Sequence, residues 1–273
     1  MCLIAFAWQT RPDLPLVLAS NRDEFFDRPT APADWWQPAP DGPKVLSGRD
    51  LQAGGTWMGV SATGRFAALT NFRAPNERKP EAPSRGPLVA NFLGGDTAPG
   101  DYLRGIAGAA AAYNGFSLIA GDLVRRELWI YSNRAGSAPR RLEPGVYGLS
   151  NALLDTPWPK LLALRGRLHT ALAEQSPDLV AHLLATLADP NLAPEPELPS
   201  TGIDPELEKV LSAIFIVPAV RQPGGPAYGT RTSTILTVAA AGPAVFHERN
   251  FDTAGGATER AFRFSLPVPA APR

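Results

Sequence analysis

A chain of 273 residues with 44% hydrophobic content is long enough to bury a full core within one large domain. Its 26 basic and 26 acidic residues balance, so no overall field draws nucleic acid or an anionic membrane, and no run of like charge marks a tail. One cysteine and three scattered histidines exclude an internal disulfide and a cysteine-rich zinc or iron–sulfur centre, leave no metal site to expect, and favour a cytoplasmic location.

Residues 2 to 8 and 14 to 19 are short apolar runs separated by a turn with Pro12 and Asp13, which predicts a buried strand hairpin. No basic region precedes the first run, and Gln9 and Arg11 interrupt it. It therefore reads as neither a secretion signal nor a membrane span, and no later stretch reaches the apolar length of a span. After Asn21-Arg22-Asp23-Glu24, a proline-rich loop is expected to about residue 43, then strands near 56 to 61 and 65 to 70 about a Thr63-Gly64 turn. A polar loop from 73 to 85 leads to helices near 86 to 94 and 101 to 112, followed by strands near 116 to 120, 127 to 132 and 146 to 150. Leu161, Leu164, Leu168 and Leu172, then Leu179, Leu183 and Leu187, recur at steps of three or four and predict two amphipathic helices divided near Ser176-Pro177. A proline-rich linker over 189 to 204, a short helix over 205 to 213 and strands near 230 to 238, 244 to 250 and 261 to 266 complete the chain. This order predicts the α+β class, with antiparallel sheets between helices, in a single domain over 1–273.

Several catalytic signatures are absent: there is no P-loop, no dinucleotide glycine fingerprint and no Gly-x-Ser-x-Gly elbow, and His247-Glu248 lacks the second histidine of a zinc helix. Cys2 remains. An initiator methionine is normally removed before so small a residue, and the exposed cysteine then has two functional groups. Its thiol can attack a carbonyl, and its α-amine, with an unperturbed pKa of about 7.7 to 8.0, can act as the adjacent base. A terminal residue ordinarily frays, whereas the head of a buried strand holds it rigid.

Met1-Cys2-Leu3-Ile4, with Asn-Arg-Asp-Glu at 21 to 24 after an apolar strand, resembles the defining signature of the NRDE family of the transport-and-Golgi-organisation type. Gly54-Gly55-Thr56-Trp57-Met58-Gly59-Val60, Leu69-Thr70-Asn71-Phe72-Arg73, Gly148-Leu149-Ser150-Asn151 and Gly229-Thr230-Arg231-Thr232-Ser233 agree with it, over residues 1 to about 250. That family is similar to the choloylglycine and penicillin-acylase branch of N-terminal-nucleophile hydrolases, which implies a four-layer αββα sandwich. The resemblance implies that Cys2 is the nucleophile and Asp23 the carboxylate that holds its amine. It further implies that the side-chain amides of Asn71 and Asn151 lie near the developing oxyanion and that Arg231 lies near the thiolate, all five converging on one cleft. Asn21, Arg22, Glu24, Trp57 and Arg73 are expected to bind the ligand. The acylase branch carries an arginine about three positions before the aspartate, where this chain has Ser20, with Arg22 directly before Asp23. Adjacent strand residues face opposite sides, so Arg22 and Asp23 share a site only if the strand ends or bulges; Arg22 or Glu24 then suits an ion-pair lock around the pocket.

Two functions follow. The first is a cysteine amidohydrolase cleaving a non-peptide C–N bond of an acylated small molecule, with Trp35, Trp36 and Trp57 lining an acyl pocket. The second, implied by the family's association with haem trafficking and lipid or acyl-CoA handling, is a non-enzymatic carrier. Its ligand would meet Arg73, Arg78, Lys79 and Arg85 through propionates or phosphates. No cofactor is expected. For haem as cargo, the conventional ligand candidates are Cys2, His169, His182 and His247.

Overall fold

The computed structural model describes residues 2–221 and 223–267; Met1, whose removal the Cys2 chemistry requires, lies outside them. In chain order the strands are β1 (Cys2–Trp8), β2 (Leu16–Phe25), β3 (Thr30–Trp36), β4 (Val45–Asp50), β5 (Met58–Ser61), β6 (Arg65–Asn71), β7 (Phe116–Asp122), β8 (Glu127–Ser132), β9 (Arg140–Arg141), β10 (Gly145–Leu149), β11 (Ala219–Val220), β12 (Ala227–Val238), β13 (Pro243–Phe251) and β14 (Ala257–Ser265). The helices are α1 (Gly86–Gly94), α2 (Pro99–Ala109), α3 (Pro159–Ala173), α4 (Leu179–Leu187) and α5 (Pro205–Val210). Among the described residues, no helix is long and apolar enough to cross a membrane.

Strand periodicity sorts side chains into layers. On β1, Ile4, Phe6 and Trp8 face the second sheet, while Leu3, Ala5 and Ala7 face α3 and α4. The first sheet has the order β10-β1-β2-β12-β13-β14, with β11 added to β12; the second runs β3 to β9 in sequence. Both sheets are antiparallel. A central core joins their inner faces, α3 and α4 cover the outer face of the first sheet, and α1 and α2 cover that of the second. The four-layer αββα order expected from the resemblance is therefore present. Phe6, 1% exposed, is one of the residues holding the sheets together, and burying such a side chain contributes about 1.5–3 kcal/mol.

The structure corrects the expected loop between residues 25 and 43, which contains β3 and leads into β4. Pro32 hid β3, but β3 is the edge strand of its sheet and its pairing with β4 is irregular between Ala31 and Asp34, so the missing N–H costs no ladder bond. β2 is longer than expected and runs through the whole Asn21–Glu24 signature. Both β12 and β14 begin earlier than their apolar content suggested.

Two features place the site. β1 has β10 on one side from Ile4 onward and β2 on the other from Cys2 onward, so its head is held by the β2 ladder and its body by both. Opposite it, Gly55 adopts φ +97, and a side chain there would meet the backbone of Gly86 and Pro87 at 2.6–2.8 Å, so the Gly54-Gly55 turn can press against the start of α1.

Candidate active site

The register of β1 on β2 pairs Cys2 with Arg22, and Leu3 with Asn21. Directly opposed residues on one face have Cβ atoms about 4.5–5.5 Å apart, so the Arg22 side chain rises beside the thiol. Because β2 continues to Phe25, the signature splits by alternation. Arg22 and Glu24 face the inter-sheet side with Cys2, and Asn21 and Asp23 face the helices.

Cys2 opens onto a cavity of about 560 Å³ at the end of the sandwich. Arg22, 5% exposed, lies over the Trp57 ring at 4.2 Å and extends an ion-pair chain: Arg22 to Glu24 at 3.8 Å, Glu24 to Arg28 at 4.0 Å, and Arg28 to Asp50 at 2.6 Å. This ion-pair chain runs along the cavity wall. Arg85, on the facing loop, donates to the Gly115 carbonyl at 2.9 Å; its burial lowers its pKa, and a Cys2 thiolate, when formed, is the charge that would most favour its cationic form. Burial pushes the Cys2 thiol above its ordinary pKa, with Arg22 among the charges pulling it down. The resting sulfur is therefore protonated near neutrality and requires a base.

Asn71, the last residue of β6, lines this cavity and two others. Its side-chain amide makes no hydrogen bond among the described residues, while its carbonyl accepts from Asn151 Nδ2 at 3.1 Å. Asn151 is buried next to Ser150, whose hydroxyl donates to the Cys2 carbonyl at 3.3 Å. Asn151 thus braces Asn71 against the head of β1 and lines the neighbouring 240 Å³ cavity rather than the one holding the thiol.

Arg231 does not reach the thiol. The register of β12 on β2 slips between Thr230 and Thr232, and this irregularity carries Arg231 to the rim, where it donates to the carbonyls of Phe25 and Arg28 and to Thr30 Oγ1. Arg22 and Arg85 occupy the place expected of it. Asn21 is not a ligand contact either. It is fully buried, donates to the carbonyls of Leu187 and Ile214 at 2.8 Å, and accepts from Ser233 Oγ at 2.6 Å, fixing the helix layer to the sheet. Arg73 lines the 240 Å³ cavity but pairs with Glu208 at 2.5 Å.

Of the three tryptophans expected around an acyl group, only Trp57 lines the main cavity. Trp35 packs edge-on against Phe264, and Trp36 Nε1 donates to Ser47 Oγ. A separate cavity of about 410 Å³, lined mainly by apolar side chains including Phe25, Leu207, Leu211 and Tyr228, shares Glu24 and Asn71 with the main one. Of the candidate haem ligands, His169 and His182 are exposed on α3 and α4, His247 pairs with Glu259, and Cys2 lines the main cavity.

Trp57 occupies a notch that Gly48 leaves open: a Cβ at Gly48 would lie 2.4 Å from its ring. Gly48→Ala is therefore expected to displace Trp57 and the arginine stacked on it, at a cost of about 1–3 kcal/mol, seen as a lower urea midpoint.

Sequence reasoning missed two residues. Lys160, on α3, and Tyr228, on β12, are buried on the helix side of the sheet beneath Cys2, and neither Lys160 Nζ nor Tyr228 Oη has a hydrogen-bond partner among the described residues. Their signal was faint: a lone lysine at a helix start and an aromatic before a strand both have ordinary surface or core roles.

A family model described as Transport and Golgi organisation 2 matches residues 1–253. The mouse protein named Transport and Golgi organization 2 homolog is 40% identical over 261 residues, covering 92% of this chain and 93% of that protein. The human Transport and Golgi organization protein 2 homolog is 40% identical over 265 residues, with the same coverage of 92% and 93%. Among solved structures, a mutant C2A conjugated bile acid hydrolase from Clostridium perfringens aligns over 100% of both chains at 9% identity and a TM-score of 0.44. A Caenorhabditis elegans N-acylethanolamine-hydrolyzing acid amidase ortholog aligns over 86% of this chain and 92% of its own, at 10% identity and a TM-score of 0.44.

Proposed function

The chain belongs to the Transport and Golgi organisation 2 family, and we propose that it is a cysteine amidohydrolase that cleaves a non-peptide C–N bond of an acylated small molecule. The observation that carries this reading is the placement of its single cysteine: Cys2 stands at the head of a central strand, on the wall of a 560 Å³ cavity, with Arg22 and Asn71 beside it.

Removal of Met1 frees the α-amine of Cys2. That amine takes the thiol proton, the sulfur attacks the acyl carbon, and the Asn71 amide donates to the oxygen that becomes negative. Collapse breaks the C–N bond, and the α-ammonium returns the proton to the leaving amine. Water then attacks the thioester with the amine again as base, releasing the carboxylic acid and restoring the thiol. The 410 Å³ cavity suits the acyl group, and the cation-rich wall of the main cavity suits an anionic leaving portion.

That same wall favours a second reading. Arg22, Arg28, Arg78, Lys79 and Arg85 face only Glu24 and Asp50, an excess that suits a carrier of an anionic ligand such as haem or an acyl-CoA.

Intact-mass measurement with a small activated acyl ester separates the two. The hydrolase reading expects a chain lacking Met1 that gains one acyl group, mapped to Cys2, and loses it again on standing. A chain that keeps Met1 and takes no acyl group would sink the hydrolase reading and leave the carrier.

A further inference from the structure

The face of the first sheet turned toward α3 carries ionisable groups that the cleavage steps above leave unused. Lys160, second residue of α3, is 3% exposed, and its Nζ has no hydrogen-bond partner among the described residues. An amine in that state is costly to bury and normally finds an acceptor. The charged groups that face it come from every neighbouring element. Asp23 on β2 acts on it most strongly, followed by Arg73 from the segment after β6 and by Glu208 on α5, with Cys2 on β1 adding its charge only when its thiol is ionised. Tyr228 on β12 faces the same Asp23. Glu208 is engaged by Arg73 and by Thr201 N at 3.0 Å, which leaves Asp23 as the carboxylate on which Lys160 chiefly acts.

Asp23 stands one register step beyond the Cys2–Arg22 pair, past the head of β1, and its Oδ1 accepts from Thr230 Oγ1 at 2.7 Å. It therefore flanks the head of β1 on the helix side of the sheet, the side on which α3 and Lys160 lie. We propose that Lys160 is a positioning residue that competes with the α-amine of Cys2 for Asp23, lowering the proton affinity of that amine so that it is free to take the thiol proton near neutral pH. This rests on the reading of Cys2 as an N-terminal nucleophile.

The physical reason is a balance of charges. A carboxylate beside an amine holds it as the ammonium, which cannot act as a base. A second cation on the same carboxylate offsets that pull. Burial draws the pKa of Lys160 itself down to about 8, so it is still largely charged at pH 7. Its folded pKa lies below the unfolded value, so the associated loss of stability is full below pH 8 and disappears as pH rises past about 10.5. Lys160→Met should accordingly melt no lower than the wild type at pH 7.

The chain has one cysteine, so ¹⁵N-cysteine labelling gives a single nitrogen resonance whose pH titration reports the α-amine directly. Lys160→Met is expected to raise that midpoint by about one pH unit. It should also move the acid limb of Cys2 acylation by the same amount, with rates below the midpoint falling about tenfold and rates well above it unchanged. Lys160→Arg, which keeps the cation, should restore the wild-type profile. An unchanged or lowered midpoint in Lys160→Met overturns the proposal; if that variant does not fold, Lys160→Gln gives the same reading. A nitrogen that behaves as an amide in the wild type means Met1 is retained, which overturns the nucleophile reading itself.

Discussion

Truncating Asn71 to alanine is expected to slow acylation of Cys2 by an activated acyl ester by about 10²- to 10³-fold, with the folded state unchanged. Asn71 ends β6, where its pairing with Phe116 and the hydrogen bond from Asn151 to its carbonyl fix the backbone. Its amide faces the cavity without a partner among the described residues, so alanine leaves no orphaned group behind, and the change falls on the transition state. A donor aimed at a developing oxyanion contributes about 2.7–4 kcal/mol, because the charge it meets exists only in the transition state. Acyl-adduct formation followed by intact mass gives the rate, and a urea melt confirms the fold. A loss of less than about threefold would remove Asn71 from the oxyanion role.

The largest stability effect is expected at Arg73. Its guanidinium is 6% exposed, pairs with Glu208, which is 4% exposed, and lies over the Trp158 ring at 4.7 Å. Arg73→Met leaves the Glu208 carboxylate buried without its cation and should cost about 3–5 kcal/mol. Adding Glu208→Leu removes the stranded charge and should recover most of that loss, although Thr201, which also donates to Glu208, keeps the recovery incomplete. Urea denaturation of both single variants and the double variant measures the coupling; equal destabilisation in the first variant and the double would show that the pair is not the cause.

How far the sequence carried the argument depends on which physical rule governed each residue. Apolar periodicity located β1, the first half of β2, and α3 and α4, because in these elements burial and local pattern point the same way. β3 was missed because Pro32 and the neighbouring prolines read as a loop, and only its position at a sheet edge makes such a strand tolerable. At the site, Cys2 was singled out by its own chemistry, and Asn71 and Arg22 through the resemblance to the family. Arg231 was misplaced because its direction depends on a register slip in β12 that no spacing rule announces. Asn21 belongs to the signature, but its three hydrogen bonds show why a motif residue can serve the layer behind a site rather than the ligand in it.

The alternation of Asn21, Arg22, Asp23 and Glu24 along β2 also constrains how such a chain can change over evolutionary time. A period of two tolerates substitution but not a change in length. Deleting a single residue between Leu16 and Ser20 would turn the guanidinium and the glutamate into the helix layer and bring the asparagine and aspartate out into the cavity, undoing the ion-pair chain and the cation-rich wall in one step. Insertions and deletions near the N-terminus are therefore confined to the hairpin between Gln9 and Pro15, and lineages descending from this chain can diversify the cavity only through the identity of residues at fixed positions.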